Sequence, residues 1–183
     1  MILFVNGCVR ECSRTLILAK RLLSTLEGEI QEVKLEKVKF PVVNEAFINH
    51  RDELKSLGKF DDPMFDLARD FASADSIVIA APYYDLSFPA MLKQYFEQIN
   101  VVGLTFTYTE SGMPQGLCKA KKLYYVTTAG GPILSDELGV GYVKALANTF
   151  YGINEVYQMK AECLDVIGAD VEAILDGAKA ERG

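Results

Sequence analysis

The hydrophobic pattern of the chain alternates between two kinds of segment along its length. Continuous apolar runs, typical of strands buried on both faces of a sheet, occupy residues 2–5, 77–81 and 123–128. Two further strand-like segments, 30–35 and 155–161, mix apolar with charged or polar residues, which is typical of sheet edges. The pattern therefore predicts three central strands and two edge strands.

Helical spacing of apolar residues separates these strands. It occurs in residues 16–26, 44–57, 63–72, 89–99, 136–150 and 171–178. Because crossovers between parallel strands are right-handed, this alternation predicts an α/β fold with a five-stranded parallel sheet and helices on both faces. The central and edge strands match the order 2-1-3-4-5 in a single domain, 1–183. A long connection at 103–117, rich in Gly, Thr and Tyr, is expected to be functional.

Composition excludes several classes of function. The formal net charge is −6, and Lys and Arg form no long run, so the chain lacks the basic patch that nucleic-acid binding requires. It has no apolar stretch long enough to span a bilayer and no basic start typical of a signal peptide, so we expect a cytoplasmic protein. With scattered cysteines and His50 as the one histidine, we predict no metal site and assign His50 no role. The cysteines, expected to be reduced, are Cys8, Cys12, Cys118 and Cys163.

The loop after the first strand, residues 6–15, runs directly into a helix. It belongs to the edge of the sheet where ligands bind, beyond the carboxyl ends of the strands and where the strand order reverses. Ser13 and Thr15 place hydroxyls at the helix start and Arg14 adds positive charge, which favours a phosphate site. Ser13 is equally typical of a simple helix cap. Neither G-x-x-x-x-G-K-[ST] nor G-x-G-x-x-G is present, which favours a mononucleotide with one phosphate over a tightly held dinucleotide.

The loops after the third and fourth strands also carry unusual residues. Tyr83 and Tyr84 offer flat surfaces to a planar ring, although either tyrosine alone is as typical of a core cap. Gly130 and Gly131 let the backbone approach a ligand closely, or form a plain turn. Because all three loops meet at one edge of the sheet, together they favour a phosphorylated aromatic ligand.

Almost the whole chain, and most clearly residues 81–131, resembles the family of FMN-dependent NADH-azoreductases and NAD(P)H:quinone oxidoreductases. The matching motifs are PYY at 82–84, LKQYF at 92–96, GLTFTYTE at 103–110 and TTAGG at 127–131. The resemblance implies a flavodoxin-like three-layer α/β/α sandwich that holds FMN without a covalent bond. It also implies a homodimer in which NADH or NADPH is a transient donor. Hydride would pass through the flavin, in a ping-pong cycle, to quinones, azo compounds or nitroaromatics.

The resemblance also assigns site residues, none of them catalytic, since the flavin carries the chemistry. The cofactor-binding positions are Cys8, Ser13, Arg14, Thr15, Pro82, Tyr83, Tyr84, Asp85, Leu86, Thr127, Thr128, Ala129, Gly130 and Gly131. The substrate pocket is assigned to Tyr84, Phe106 and Ile133, with Phe106 over the flavin of the partner subunit in the homodimer.

Several positions depart from the family pattern. Cys8 stands where serine is common, Asp85 where asparagine is common, and Pro132 and Ile133 where a histidine is usual. A carboxylate at position 85 would disfavour negative charge on reduced flavin by Coulomb repulsion. Two alternatives stay open: an electron carrier without turnover of its own, and a ligand-binding module that has lost flavin, which only Asp85 and Cys8 support.

Overall fold

The main sheet has six strands and is mixed, in the order β2-β1-β3-β6-β7-β8. The computed structural model describes residues 1–182. Its strands are β1 (Ile2–Asn6), β2 (Ile30–Lys34), β3 (Ser76–Ala80), β4 (Phe106–Tyr108), β5 (Pro114–Gly116), β6 (Lys122–Thr128), β7 (Glu155–Ala161) and β8 (Ala180–Arg182). Neighbours in this sheet are parallel except β7 and β8, which are antiparallel.

The sheet corrects the prediction of five parallel strands. The order 2-1-3-4-5 holds for the five predicted strands, but β8 adds an antiparallel sixth strand beside β7. β7 is therefore not the edge of the sheet where Tyr157, Gln158 and Met159 pair with β8. The sequence pattern predicts the segment 103–117 as a long connection without strands. The structure corrects this prediction, because β4 and β5 form a separate antiparallel hairpin within the segment.

Helices cover both faces of the sheet and make three layers. They are α1 (Arg14–Leu23), α2 (Glu45–Ser56), α3 (Asp66–Ser73), α4 (Ala90–Ile99), α5 (Tyr142–Leu146) and α6 (Val171–Gly177). α5 is continued by π-helical turns at Glu137–Gly141 and Ala147–Tyr151. None of the helices in residues 1–182 is both long and apolar enough to cross a membrane.

Alternation along the central strands divides the core into two clusters. In β1, Leu3 and Val5 face the cluster that contains α3, α4 and α5, while Ile2 and Phe4 face the cluster that contains α1 and α6. All four side chains are at most 3% exposed, which explains why the run is apolar at every position rather than at every second one. The doubly covered sheet leaves the loops at its carboxyl edge as the open part of the fold.

Candidate functional site

The loop after β1 forms a capped helix start. The Cys8 amide donates to Oδ1 of Asn6 at 2.9 Å, and Ser13 accepts from the Leu16 amide at 3.3 Å as the N-cap of α1. The amides of Arg14 and Thr15 lie in the first turn, where no carbonyl four residues earlier can accept them. Ser13 is therefore a helix cap, and the same turn keeps amides and the Arg14 side chain available to an anion.

A crevice of about 300 Å³ lies between this helix start and the loops after β3, β6 and β7. Its lining residues are Val9, Arg10, Cys12, Ser13, Arg14, Thr15, Pro82, Tyr83, Tyr84, Thr128, Gly130 and Asp165. Eight of the predicted cofactor positions are among them, drawn from all three predicted loops. The volume lies at the lower end of the range for small-molecule sites.

Hydrogen bonds fix the predicted loops to one another. Thr15 and Thr128 share a buried hydroxyl–hydroxyl bond of 2.7 Å, which ties α1 to the end of β6. The Tyr83 amide donates to the Thr128 carbonyl at 3.0 Å, so the loop after β3 continues the parallel pairing with β6. The three loops are therefore joined by hydrogen bonds into one continuous wall of the crevice.

A tight turn follows Tyr83 at the crevice rim. Tyr84 and Ser87 exchange both backbone hydrogen bonds, at 3.0 and 2.7 Å, around Asp85 and Leu86. These two central residues have φ of 50° and 67°, the left-handed geometry of a type I′ turn that favours glycine or asparagine. Leu86 is 46% exposed in this strained position, and backbone strain of this kind concentrates at ligand sites.

The remaining predicted positions do not line the crevice. They are Cys8, Asp85, Leu86, Thr127, Ala129, Gly131, Phe106 and Ile133. Cys8 is buried, which raises the pKa of its thiol, and a hydrogen bond with Ser13 partly opposes that rise. Phe106 is 5% exposed and packs on Phe150 of the same chain, with ring centroids 4.6 Å apart. The functional roles predicted for these residues stay predictions.

Four lining residues were missed by sequence reasoning: Val9, Arg10, Cys12 and Asp165. The first three lie in the loop after β1, between the predicted positions Cys8 and Ser13. Asp165 comes from the loop after β7, which was not among the loops predicted to form the site. Its carboxylate accepts from Arg14 at 2.8 Å. The predicted strand order already placed β7 beside β6, and that order is the signal by which the loop after β7 could have been included in the site.

No group of three or more His, Cys, Asp or Glu side chains within residues 1–182 is placed to hold a metal ion. Positive charge at the crevice comes instead from two guanidinium groups, Arg10 and Arg14, opposed by the single carboxylate of Asp165. The lining offers amides, hydroxyls and aromatic rings, a set suited to a phosphorylated planar ligand.

Comparison with known proteins identifies the family. The family model described as "Flavodoxin-like fold" matches residues 1–181. An FMN-dependent NADH:quinone oxidoreductase 2 of Clostridium acetobutylicum is 46% identical over 113 residues, covering 59% of this chain and 56% of that protein. An FMN-dependent NADH:quinone oxidoreductase of Caldicellulosiruptor saccharolyticus is 32% identical over 181 residues, covering 93% of this chain and 89% of that protein.

Among solved structures, the azoreductase from Bacillus anthracis superposes with a TM-score of 0.81 at 25% identity, covering 96% of this chain and 92% of that one. The fold, the crevice and both kinds of match agree. The chain therefore belongs to the flavodoxin-like family of FMN-dependent NADH:quinone oxidoreductases and azoreductases.

Proposed function

We propose that the protein is an FMN-dependent enzyme that uses NADH or NADPH to reduce quinones, azo compounds or nitroaromatics. The observation that carries the proposal is the crevice, where a capped helix start, two arginines and two tyrosines meet at the switch point of the sheet. The relatives that share this fold are named FMN-dependent NADH:quinone oxidoreductases, which supports the same chemistry here.

The residues of the crevice fit FMN. The first-turn amides of α1, the Ser13 hydroxyl and the Arg14 guanidinium suit its single phosphate. Tyr83 and Tyr84 suit the flat ring system, and the Tyr83 hydroxyl is buried without a hydrogen-bond partner among residues 1–182. A buried hydroxyl without a partner is costly, and a polar group of a ligand that reached it would offset that cost.

When bound, FMN would supply the hydride chemistry between the nicotinamide and the acceptor, and the protein would bind and orient the reactants. Arg10 and Arg14 attract the anionic end of the cofactor. The bond between Thr15 and Thr128 keeps helix and strand end at a fixed separation. Tyr84, 43% exposed at the rim, is placed to bound the space that donor and acceptor enter in turn.

A second copy of this chain is the proposed partner. Apolar side chains that remain exposed in the loops after β3 and β6, and in the helical turn that follows β6, are Leu86, Leu134 and Leu138, at 46%, 76% and 53%. Exposed apolar clusters of this kind mark association surfaces. Analytical ultracentrifugation that finds a monomer at every concentration would remove the homodimer from the proposal, together with the role of Phe106 beside the flavin of the partner subunit.

The experiment that tests the function has two steps. First, the apoprotein is titrated with FMN, and quenching of flavin fluorescence reports binding. NADH and a quinone are then added, with absorbance at the NADH band as the readout. FMN-dependent NADH oxidation is the expected result. Bound flavin without NADH oxidation would indicate an electron carrier, and absence of FMN binding at high concentration would indicate a module that has lost flavin.

A further inference from the structure

An ion pair spans the phosphate end of the crevice. The Arg14 guanidinium donates through one terminal nitrogen to the Leu164 carbonyl at 2.9 Å and through the other to Oδ1 of Asp165 at 2.8 Å. Both acceptors belong to the loop after β7, 150 and 151 residues further along the chain. The side chain that faces the proposed phosphate is therefore held by a loop that has no other assigned role.

The Asp165 carboxylate is itself held in place by the neighbouring loop. The Asp165 amide donates to the Gly130 carbonyl at 2.9 Å, and the Cys163 amide donates to the Gly131 carbonyl at 3.0 Å. Oδ2 of Asp165 lies against the Cα of Gly130, where a Cβ would overlap Oδ2 and lie 2.9 Å from Cγ. Gly130 is therefore required to be small by the position of this carboxylate, and not only by the approach of a ligand.

We propose that Asp165 is a positioning residue for phosphate recognition: it holds Arg14 in a fixed orientation on the crevice wall, so that FMN is selected over its unphosphorylated analogue. This inference rests on the proposed function. A guanidinium carries five N–H donors, and the Leu164 carbonyl and Asp165 occupy two of them, so three remain for an anion. Fixing a rotamer-rich side chain before binding removes part of the ordering cost of the complex.

The charge of Asp165 acts in the opposite direction from its hydrogen bond. A carboxylate beside the phosphate site weakens anion binding, while its oxygen orients the arginine that strengthens it. Asparagine keeps the acceptor oxygen and removes the charge, whereas alanine removes both. The two substitutions therefore separate orientation from electrostatic repulsion.

The test compares FMN with riboflavin, which has the same ring system and no phosphate. Dissociation constants for both are measured with apoprotein of the wild type, Asp165→Ala and Asp165→Asn, with thermal unfolding as a check on folding. We expect Asp165→Ala to weaken FMN binding about 3- to 10-fold and leave riboflavin binding unchanged. Asp165→Asn is expected to bind FMN at least as tightly as the wild type.

Gly130→Ala supplies an independent perturbation of the same contact. Its methyl group would displace the Asp165 carboxylate from Arg14, so we expect a loss of FMN selectivity similar to that of Asp165→Ala. In the Asp165→Ala background the obstructing carboxylate is gone, so adding Gly130→Ala should change the ratio of FMN to riboflavin affinity less than about twofold, even if the methyl group lowers both affinities together.

Two results would overturn the inference. One is an unchanged ratio of FMN to riboflavin affinity in Asp165→Ala, since a merely structural role would lower both affinities together. The other is tighter FMN binding in Asp165→Ala, which would make Asp165 a competitor of the phosphate. A wild-type protein that binds neither flavin refutes the proposed function itself and is distinguishable from both.

Discussion

Two glycines allow the hairpin of β4 and β5 to pack closely on the helical segment that follows β6. Gly116 faces Gly152, which ends the helical segment that follows β6 in the left-handed conformation, with φ of 71°. A Cβ on Gly116 would overlap the backbone nitrogen of Gly152 and lie 2.5 Å from the carbonyl oxygen of Tyr151. Because these are backbone atoms, no side-chain rotation can make room, and the hairpin has to move.

Gly116→Ala therefore tests how much this contact stabilises the fold. Displacing the hairpin uncovers Phe106, which is 5% exposed and packs on Phe150. Full burial of a phenylalanine stabilises by about 1.5–3 kcal/mol and an aromatic pair by about 0.5–1.5 kcal/mol more. Since the hairpin is displaced rather than removed, we expect a loss of about 2–3 kcal/mol, which lowers Tm by about 4–12 °C in a protein of this size.

Urea unfolding followed by far-UV circular dichroism gives the change in the free energy of unfolding. Gly177→Ala is the matched control, because a Cβ at Gly177 meets no atom within 4 Å and its cost should stay below about 0.5 kcal/mol. If Gly116→Ala and Gly177→Ala had the same free energy of unfolding, the steric argument would be refuted.

Three further predictions follow from buried or paired groups. Lys119, 2.5 Å from Asp75, and the amino group of Met1, which also pairs with Asp75, hold the pKa of that carboxyl at about 2, so Asp75→Asn should lower Tm at neutral pH. Because the pKa is depressed on folding, the difference should be full above about pH 4 and disappear as pH falls towards 2; a Tm difference independent of pH would contradict this. Iodoacetamide should modify the exposed Cys12 first, and more slowly when FMN is present, because Cys12 lines the crevice. Cys118 should be protected, because burial raises the pKa of its thiol to about 12. Equal modification rates for the two cysteines in the folded protein, measured by mass spectrometry, would be evidence against this. Thr15→Val should cost about 1–3 kcal/mol in urea unfolding because it leaves a buried hydroxyl unpaired, and an unchanged midpoint would show that this bond is unimportant.

The central strands could be predicted because burial on both faces leaves little choice of residue. β1, β3 and β6 are apolar nearly throughout, and their central position between β2 and β7 follows because β2 and β7 carry the polar residues typical of sheet edges. β8 could not be predicted in the same way. It has three residues, two of them the charged Glu181 and Arg182, and it is a strand only because β7 offers an open edge.

The candidate site divides along the same line. Ser13 as the cap of α1, and the arrival of three loops at one crevice, follow from local sequence and strand order. The strained turn at Asp85 and Leu86 could not be recognised, because aspartate tolerates positive φ but leucine rarely adopts it, and no glycine marks the turn. The burial of Phe106 likewise depends on where the hairpin packs.

The sequence by itself determined the five parallel strands, the helix starts and the edge of the sheet where a ligand binds, because these depend on residue period and on neighbours a few positions away. Tertiary structure decided which side chains reach that ligand. Arg14 and Asp165 are separated by 151 residues and lie 2.8 Å apart because backbone hydrogen bonds hold the loop after β7 against the loop after β6. A contact between residues so far apart in the chain produces no repeating pattern in the sequence, because each residue alone is typical of an exposed charged position.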